Sequence, residues 1–169
     1  MTREEKPLLD VRGLTHTFGA RVACQAVTFS VYPGEVLAVV GESGSGKTTL
    51  LRCISGQQRP QAGQVLFTSR TGEAMDIWAA AESSRRMLAR TDWGFVHQNA
   101  RDGLRLDVSA GANIGERLMA VGARHYGKLR GEADAWMRRV ELDVTRIDDA
   151  PAAFSGGMQQ RLDRKSTRL

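Results

Sequence analysis

The sequence has 169 residues and a net charge of +5, with 41% hydrophobic and 25% charged residues. This length and composition indicate one globular domain, or one domain with a small insertion, and exclude a disordered chain and a fibrous protein. Two of the five charges belong to the last seven residues, so no basic face is left and no nucleic-acid partner is expected.

Other classes of protein are excluded by short patterns. The longest aliphatic run, Val36–Val40, is far shorter than the roughly 20 residues that a membrane-spanning helix needs. The first six residues lack the basic-then-apolar order of a secretory signal, so we expect a cytoplasmic protein. Two cysteines, Cys24 and Cys53, cannot form a disulfide framework, and we expect both to be small core residues.

The first part of the chain predicts strands that flank a glycine-rich loop and a short helix. The run Val36–Val40 is apolar on both faces, which is typical of a strand buried on both sides of an α/β sheet. The pattern predicts strands at Leu8–Phe18, Val22–Tyr32, Val36–Val40 and Gln64–Phe67, and a helix at Thr48–Ser55.

The second part of the chain is predicted to be mainly helical. Alanine, leucine, methionine and arginine predict a helix at Ala79–Arg90, and Trp93–Val96 is interpreted as a strand. Helical periodicity follows over residues 108–142, and a second glycine-rich turn opens a helix after Ser155. Residues 163–169 contain one apolar residue in seven, and we expect them not to extend the core.

The segment Gly41–Thr48, GESGSGKT, fits the pattern G-x-x-x-x-G-K-[ST] at every position. A predicted strand ends at the residue before it and a helix begins inside it, which is the context that this motif requires. Glycines let backbone N–H groups approach phosphate oxygens, and the helix N-terminus adds its dipole. We expect Lys47 to reach the β and γ phosphates and Thr48 to bind Mg²⁺; the alternative is a Gly/Ser-rich surface loop.

Two further features bear on the class of nucleotide-binding protein. Gln98 follows a predicted strand, where an amide oxygen can contact Mg²⁺ or the attacking water; the alternative is a polar loop residue. The segment Ser155–Gln160 places a hydroxyl and two unhindered amides at a helix start, which favours an anion site. The alternative is a capped helix without a ligand.

Together, in this order, these segments resemble an ATP-binding cassette (ABC) ATPase. The resemblance implies an α/β P-loop NTPase fold of the cassette type, with an incomplete core sheet, an N-terminal antiparallel β subdomain and a helical subdomain. It makes Gln98 the Q-loop glutamine, a catalytic residue and Mg²⁺ ligand together with Thr48, and Phe18 the aromatic that stacks on adenine. A core phenylalanine is the alternative for Phe18. The remaining nucleotide-binding residues that the resemblance implies are Gly41, Glu42, Ser43, Gly44, Ser45, Gly46, Lys47, Thr48 and Thr49 of the Walker A loop, and Ser155, Gly156, Gly157 and Gln159 of the signature motif.

A closer resemblance, over nearly all of residues 7–162, is to the ATP-binding subunits of bacterial carbon–phosphorus lyase systems, which break down phosphonates. It implies ATP and Mg²⁺ as cofactors, a homodimer or a pair with a related ABC ATPase, and lyase core subunits as partners. Oligopeptide-importer ATPases are similar through the nucleotide motifs, and an importer would bring the chain to a membrane only indirectly. The segments that carry the closer resemblance are Pro33–Leu37, Val96–Gln98, Asp102–Arg105, Asn113–Ala120, Gly122–Gly127 and Arg146–Asp149.

The sequence departs from the ABC pattern beyond the signature motif. It has no apolar strand ending in Asp-Glu, since Asp148-Asp149 follows a single aliphatic residue and precedes the signature, and no histidine stands at the switch position. We therefore interpret residues 1–162 as a partial ABC ATPase domain, and residues 163–169 as an atypical tail that a frameshift, an assembly error or foreign sequence could explain. Within the domain, 7–70 form the β subdomain with Walker A, 79–98 the helix and Q-loop strand, and 99–162 the helical subdomain. A naturally shortened, nonhydrolytic nucleotide binder is the competing interpretation.

Overall fold

The structure is a computed structural model that describes residues 6–69 and 71–164. The chain forms two compact units, Met1–Arg86 and Met87–Leu169, and the boundary falls within a helix. None of the described helices has the length and apolar character needed to cross a membrane.

The first unit contains an antiparallel sheet of four strands in the order β2-β1-β3-β4. The sequence predictions of the first two strands, of the Gln64–Phe67 strand and of the loop helix are confirmed, with shifts of one or two residues at their ends. The elements are β1 Leu9–Phe18, β2 Arg21–Val31, helix α1 Lys47–Ile54, β3 Ala62–Thr68 and β4 Ala74–Asp76.

The core of the first unit lies between the sheet and α1. Buried and more exposed residues alternate along the second half of β3, and β1 buries Val11 and Leu14, so one face of the sheet is buried. The indole N–H of Trp78 donates a 3.0 Å hydrogen bond to the carbonyl of Cys53, which fixes the end of α1. The core side chains are Val11, Leu14, Leu50, Cys53, Val65, Phe67, Ile77 and Trp78. Cys53 is thus a core residue as predicted, whereas Cys24 on β2 is only half-buried.

The strand predicted at Val36–Val40 is wrong in this structure. The segment forms no strand, and 92% of Val36 and 88% of Val40 is exposed. A strand needs a neighbour to pair its backbone N–H and C=O groups, and no described strand pairs with this segment. Trp93–Val96 forms no strand either, for the same reason.

The second unit is helical. Helix α2, Glu82–Thr91, leads into it, and α3 and α4 pack against each other around Ile114, Trp136 and Met137. Short 3₁₀ turns at Ala100–Asp102, Val144–Arg146 and Pro151–Ala153 connect the longer elements. The remaining helices are α3 Ala110–Ala120, α4 Tyr126–Arg139 and α5 Gly156–Asp163.

A buried asparagine that the sequence patterns did not single out closes the loop before α3. The Asn113 amide donates to the carbonyls of Arg105 and Val108 at 2.9 and 2.8 Å, and its oxygen accepts from the Arg105 N–H at 2.9 Å. Ser109 caps α3 by accepting from Ala112 N–H. These bonds pair backbone groups of the loop and of the first turn of α3 with side chains.

Asp163 is the last residue of α5, and it is fully buried, so the predicted tail contributes one residue to the interior. Its Oδ2 accepts a 3.1 Å hydrogen bond from the backbone N–H of His97, while its Oδ1 has no partner. A buried carboxylate oxygen without a hydrogen-bond partner is unfavourable. Residues 165–169 of the tail lie outside the described residues.

Candidate functional site

The loop Gly41–Gly46 leads directly into α1, and its shape depends on Gly46. This residue has φ +92°, and a Cβ atom there would lie 1.8 Å from the carbonyl oxygen of Ala23. Only glycine fits so close to β2 in this left-handed conformation. No side chain caps α1, so the first N–H groups of the helix face the loop without a side-chain acceptor.

The ammonium group of Lys47 is enclosed by the loop. Its Nζ donates to the carbonyls of Gly41 and Glu42 at 2.9 and 2.5 Å and to the hydroxyl of Ser45 at 3.3 Å. These three acceptors are neutral, so an anion entering the loop would be a stronger partner for the charge. Ser43 is exposed in the same loop.

A cavity of about 210 Å³ opens beside Lys47. Two cations, Arg21 and Lys47, line it, and no carboxylate does. No sequence pattern singles out Arg21; the one signal that could have found it is its position three residues after Phe18. The full lining is Phe18, Arg21, Ala23, Gly44, Gly46, Lys47, Thr48 and Thr49.

Phe18 lies at the end of β1 and is 52% exposed, so it is not the core phenylalanine of the alternative interpretation. Its ring meets the edge of the His16 ring with centroids 4.7 Å apart and planes at 78°. His16 is buried, and its Nε2 lies 2.7 Å from the amide nitrogen of Gln58. The Phe18 ring thus packs against a buried histidine and lines the cavity.

The signature segment lies in the second unit. Ser155 caps α5, its hydroxyl accepting from the N–H of Met158 at 3.4 Å. Gly156 and Gly157 are exposed, and no atom lies within 4 Å of where a Cβ would stand on either of them. Nothing in the described chain therefore requires glycine at these two positions.

The side chain of Gln159 is bonded within the second unit. Gln159 is buried, and its amide nitrogen donates to the carbonyls of Pro151 and Phe154 at 2.8 and 3.3 Å. This nitrogen holds the turn before α5. The reason is local: the turn leaves two carbonyls pointing at the helix, and Gln159 is the side chain that satisfies them.

Gln98 is exposed, and it lies beside the signature turn within the second unit. Both line a cavity of about 320 Å³, whose lining is Gln98, Asn99, Ala100, Arg101, Phe154, Gly156, Gln159 and Gln160. Of the predicted Mg²⁺ ligands, Thr48 belongs to the first unit and Gln98 to the second. The exposed hydroxyl of Thr48, on the Lys47 cavity, fits one ligand of a hydrated Mg²⁺ on phosphate.

The acidic pair Asp148-Asp149 is used in ion pairs. Arg130 binds Asp148 through two hydrogen bonds of 2.6 and 2.7 Å, and these bonds hold the pKa of Asp148 below its usual value. Arg146 binds Asp149 at 2.7 Å. Among residues 6–69 and 71–164, no group of three or more His, Cys, Asp or Glu side chains could hold a metal ion.

A glycine-rich loop between a β subdomain and α1, followed by a helical unit with a capped S-G-G turn, defines a nucleotide-binding protein of the cassette class. The family model described as ABC transporter matches residues 24–163, and the chain belongs to this family of ABC ATPases.

Two individual proteins are similar to this chain over most of its length. The chain is 54% identical over 157 residues to the Escherichia coli (strain K12) protein named phosphonates utilization ATP-binding protein PhnK. The match covers 93% of this chain and 60% of that protein. An ABC transporter ATP-binding protein of Halobacterium salinarum is 38% identical, over 92% of this chain and 61% of its own length. The chain thus spans about 60% of the length of these relatives.

Solved structures show the fold. The ATP-binding cassette MJ0796, in a dimeric post-hydrolysis state bound to ADP and Pi, matches with a TM-score of 0.82 and 24% identity, over 94% of this chain and 68% of that chain. The cassette fold predicted from the sequence motifs, with an antiparallel β subdomain and a helical subdomain, is confirmed.

Proposed function

We propose that the first unit binds Mg·ATP in the cavity beside Lys47. The observation that carries this proposal is the cavity itself, in which two cations, an exposed aromatic face and the start of a helix meet without any carboxylate. Triphosphate carries the charge that such a site neutralises, and adenine supplies a flat ring for the aromatic face.

Each residue then has a distinct role. The Lys47 ammonium exchanges the carbonyls of Gly41 and Glu42 for phosphate oxygens, and the backbone N–H groups of the loop and of Thr49 bind the same phosphates. The Thr48 hydroxyl holds Mg²⁺, which neutralises charge on the phosphates when bound. Phe18 stacks on adenine.

A titration with ATP tests this site. We expect Lys47→Ala to abolish measurable ATP binding, because it removes the ammonium that faces the phosphates. Lys128→Ala removes the same charge from an exposed position in α4 and serves as the matched control. Equal ATP affinity in the two variants would contradict the proposal.

We further propose that Ser155, Gly156 and Gly157 contact the nucleotide bound to a second copy of the chain in a head-to-tail dimer. Support comes from the two glycines, whose lack of side chains serves no purpose within the described chain. A close approach by an outside group explains them. In the full-length protein, Ser155→Arg mixed with Lys47→Ala should recover at most one working site per dimer, whereas full ATPase activity in each variant alone would contradict the arrangement.

The cellular role that we propose is that of the ATP-binding subunit of a phosphonate-utilising carbon–phosphorus lyase system in the cytoplasm, where Gln98 acts in the hydrolysis step. Support comes from the 54% identity to a protein named for phosphonates utilization. The second candidate is a membrane importer, favoured by a Brucella ovis protein named for peptide import that is 34% identical. Purification of the tagged full-length protein from its own cells separates them: soluble lyase subunits support the first candidate, and transmembrane proteins support the second.

A further inference from the structure

The side chain of Arg21 occupies a position between the aromatic and the phosphate-binding parts of the cavity. Arg21 begins β2 and pairs with Phe18 across the tight turn that joins β1 to β2. Its Nη2 donates a 3.2 Å hydrogen bond to the carbonyl of Gly44 in the loop. One guanidinium therefore spans from the turn end of the hairpin to the glycine-rich loop.

The charge of Arg21 is not neutralised by this contact. Gly44 offers a neutral carbonyl, and the described chain gives the guanidinium no carboxylate. The cavity lining likewise contains two cations and no anion. A guanidinium has five N–H donors in a planar fork that matches phosphate oxygens, so most of its donors remain available to a ligand.

We propose that Arg21 is a second phosphate-binding residue of this site, in addition to Lys47. The proposal rests on the proposed function of the cavity. Lys47 approaches the phosphates from the helix side of the loop, and Arg21 approaches them from the β hairpin, so that the triphosphate is held between two cations. The hydrogen bond to Gly44 orients the guanidinium before the nucleotide arrives, which lowers the entropic cost of binding.

The test compares a ligand that has both the triphosphate and the adenosine part with a ligand that has the triphosphate alone. Calorimetric titrations of the full chain with ATP and with tripolyphosphate are made on wild type and on Arg21→Gln. Glutamine keeps an amide that can donate to the Gly44 carbonyl but removes the charge. We expect about tenfold weaker binding of both ligands and a shallower dependence of affinity on salt, with unchanged weak binding of adenosine followed by NMR.

A matched control removes an equal charge from the same unit. Arg52 is exposed in the last turn of α1 and does not line the cavity, so Arg52→Gln should leave all three affinities unchanged. Arg21→Lys keeps the charge but not the fork, and we expect it to restore part of the lost affinity for tripolyphosphate. If Arg21→Gln does not fold, the same titrations are made on Arg21→Lys, for which we expect a smaller loss of affinity for ATP and for tripolyphosphate.

Three outcomes would overturn the inference: unchanged tripolyphosphate binding in folded Arg21→Gln, an equal loss for adenosine, or an equal loss in Arg52→Gln. The proposed function of the cavity has a separate test: it is contradicted if Lys47→Ala binds ATP with the affinity of wild type. A loss of ATP binding in Lys47→Ala with no change in Arg21→Gln would leave the nucleotide site standing and remove only the role of Arg21.

Discussion

The Phe18 side chain can be removed without opening the core, because about half of it faces solvent. We expect Phe18→Ala to weaken ATP binding by about 0.5–1.5 kcal/mol, the scale of an aromatic stacking contact, with little change in the free energy of unfolding. Phe67→Ala is the matched control, since Phe67 is buried in the same unit and its loss should cost about 3–5 kcal/mol of stability. Calorimetric titration and thermal melting measure the two effects. Unchanged ATP affinity in folded Phe18→Ala would refute the stacking role.

The two cysteines should differ in reactivity because their burial differs. Burial raises the pKa of the Cys53 thiol to about 11, and the nearby Cys24 acts in the same direction. The thiol of the unfolded chain ionises near its ordinary value of 9.0, so the folded form holds its proton more tightly and stability should fall as pH rises from about 9 to about 11.

Alkylation with iodoacetamide at pH 8, followed by mass spectrometry, measures this difference. We expect Cys53 to be protected until denaturant is added, and the half-buried Cys24 to react first. Equal native rates for the two thiols would show that α1 opens freely.

At the level of elements, the glycines of the Lys47 loop and of the signature turn differ in the space around them. Gly46→Ala would drive a Cβ against the Ala23 carbonyl in a left-handed conformation, so we expect loss of ATP binding and a lower melting temperature. Gly157→Ala meets no atom within 4 Å, and we expect its melting temperature to match that of wild type. A similar destabilisation in both variants would mean that the α5 turn packs more closely than the structure shows.

The sequence predicts an element well when its residue pattern and the segment that it pairs with lie close together in the chain. The hairpin of β1 and β2 and the capped start of α5 follow from alternation, turn residues and an N-cap serine, all of them local signals. The lack of a strand at Val36–Val40 was not predictable in this way, because strand pairing depends on neighbours that the local pattern does not contain.

The candidate site was predicted only in part, for a related reason. The motif located the Lys47 loop, but the direction of the Gln159 amide depends on which carbonyls the preceding turn leaves unpaired. Arg21 was missed because a hairpin arginine is ordinary in sequence. Its place beside the loop is visible only in the fold, where its guanidinium donates a hydrogen bond to the Gly44 carbonyl.

For the whole chain, we expect different results for nucleotide binding and for nucleotide hydrolysis. The sequence contains no apolar strand ending in Asp-Glu to supply a carboxylate that orients the attacking water, whereas the Gly41–Thr48 motif is complete. We expect the 169-residue chain to bind ATP without steady phosphate release. A colorimetric phosphate assay beside the binding titration measures both properties. Steady release that Lys47→Ala abolishes would contradict this expectation.

The exposed segment Val36–Val40 should also govern how the whole chain behaves in solution. Its two end valines are almost fully exposed, and its backbone pairs with no described strand, which makes it a template for association. We expect concentration-dependent self-association that the double variant Val36→Lys/Val40→Lys reduces, because two charges oppose burial of the segment. Val121→Lys is the control, since Val121 is a single valine, 50% exposed, at the end of α3. Sedimentation velocity over a concentration series measures the effect, and a wild-type chain that stays monomeric throughout would show that this segment is covered in solution.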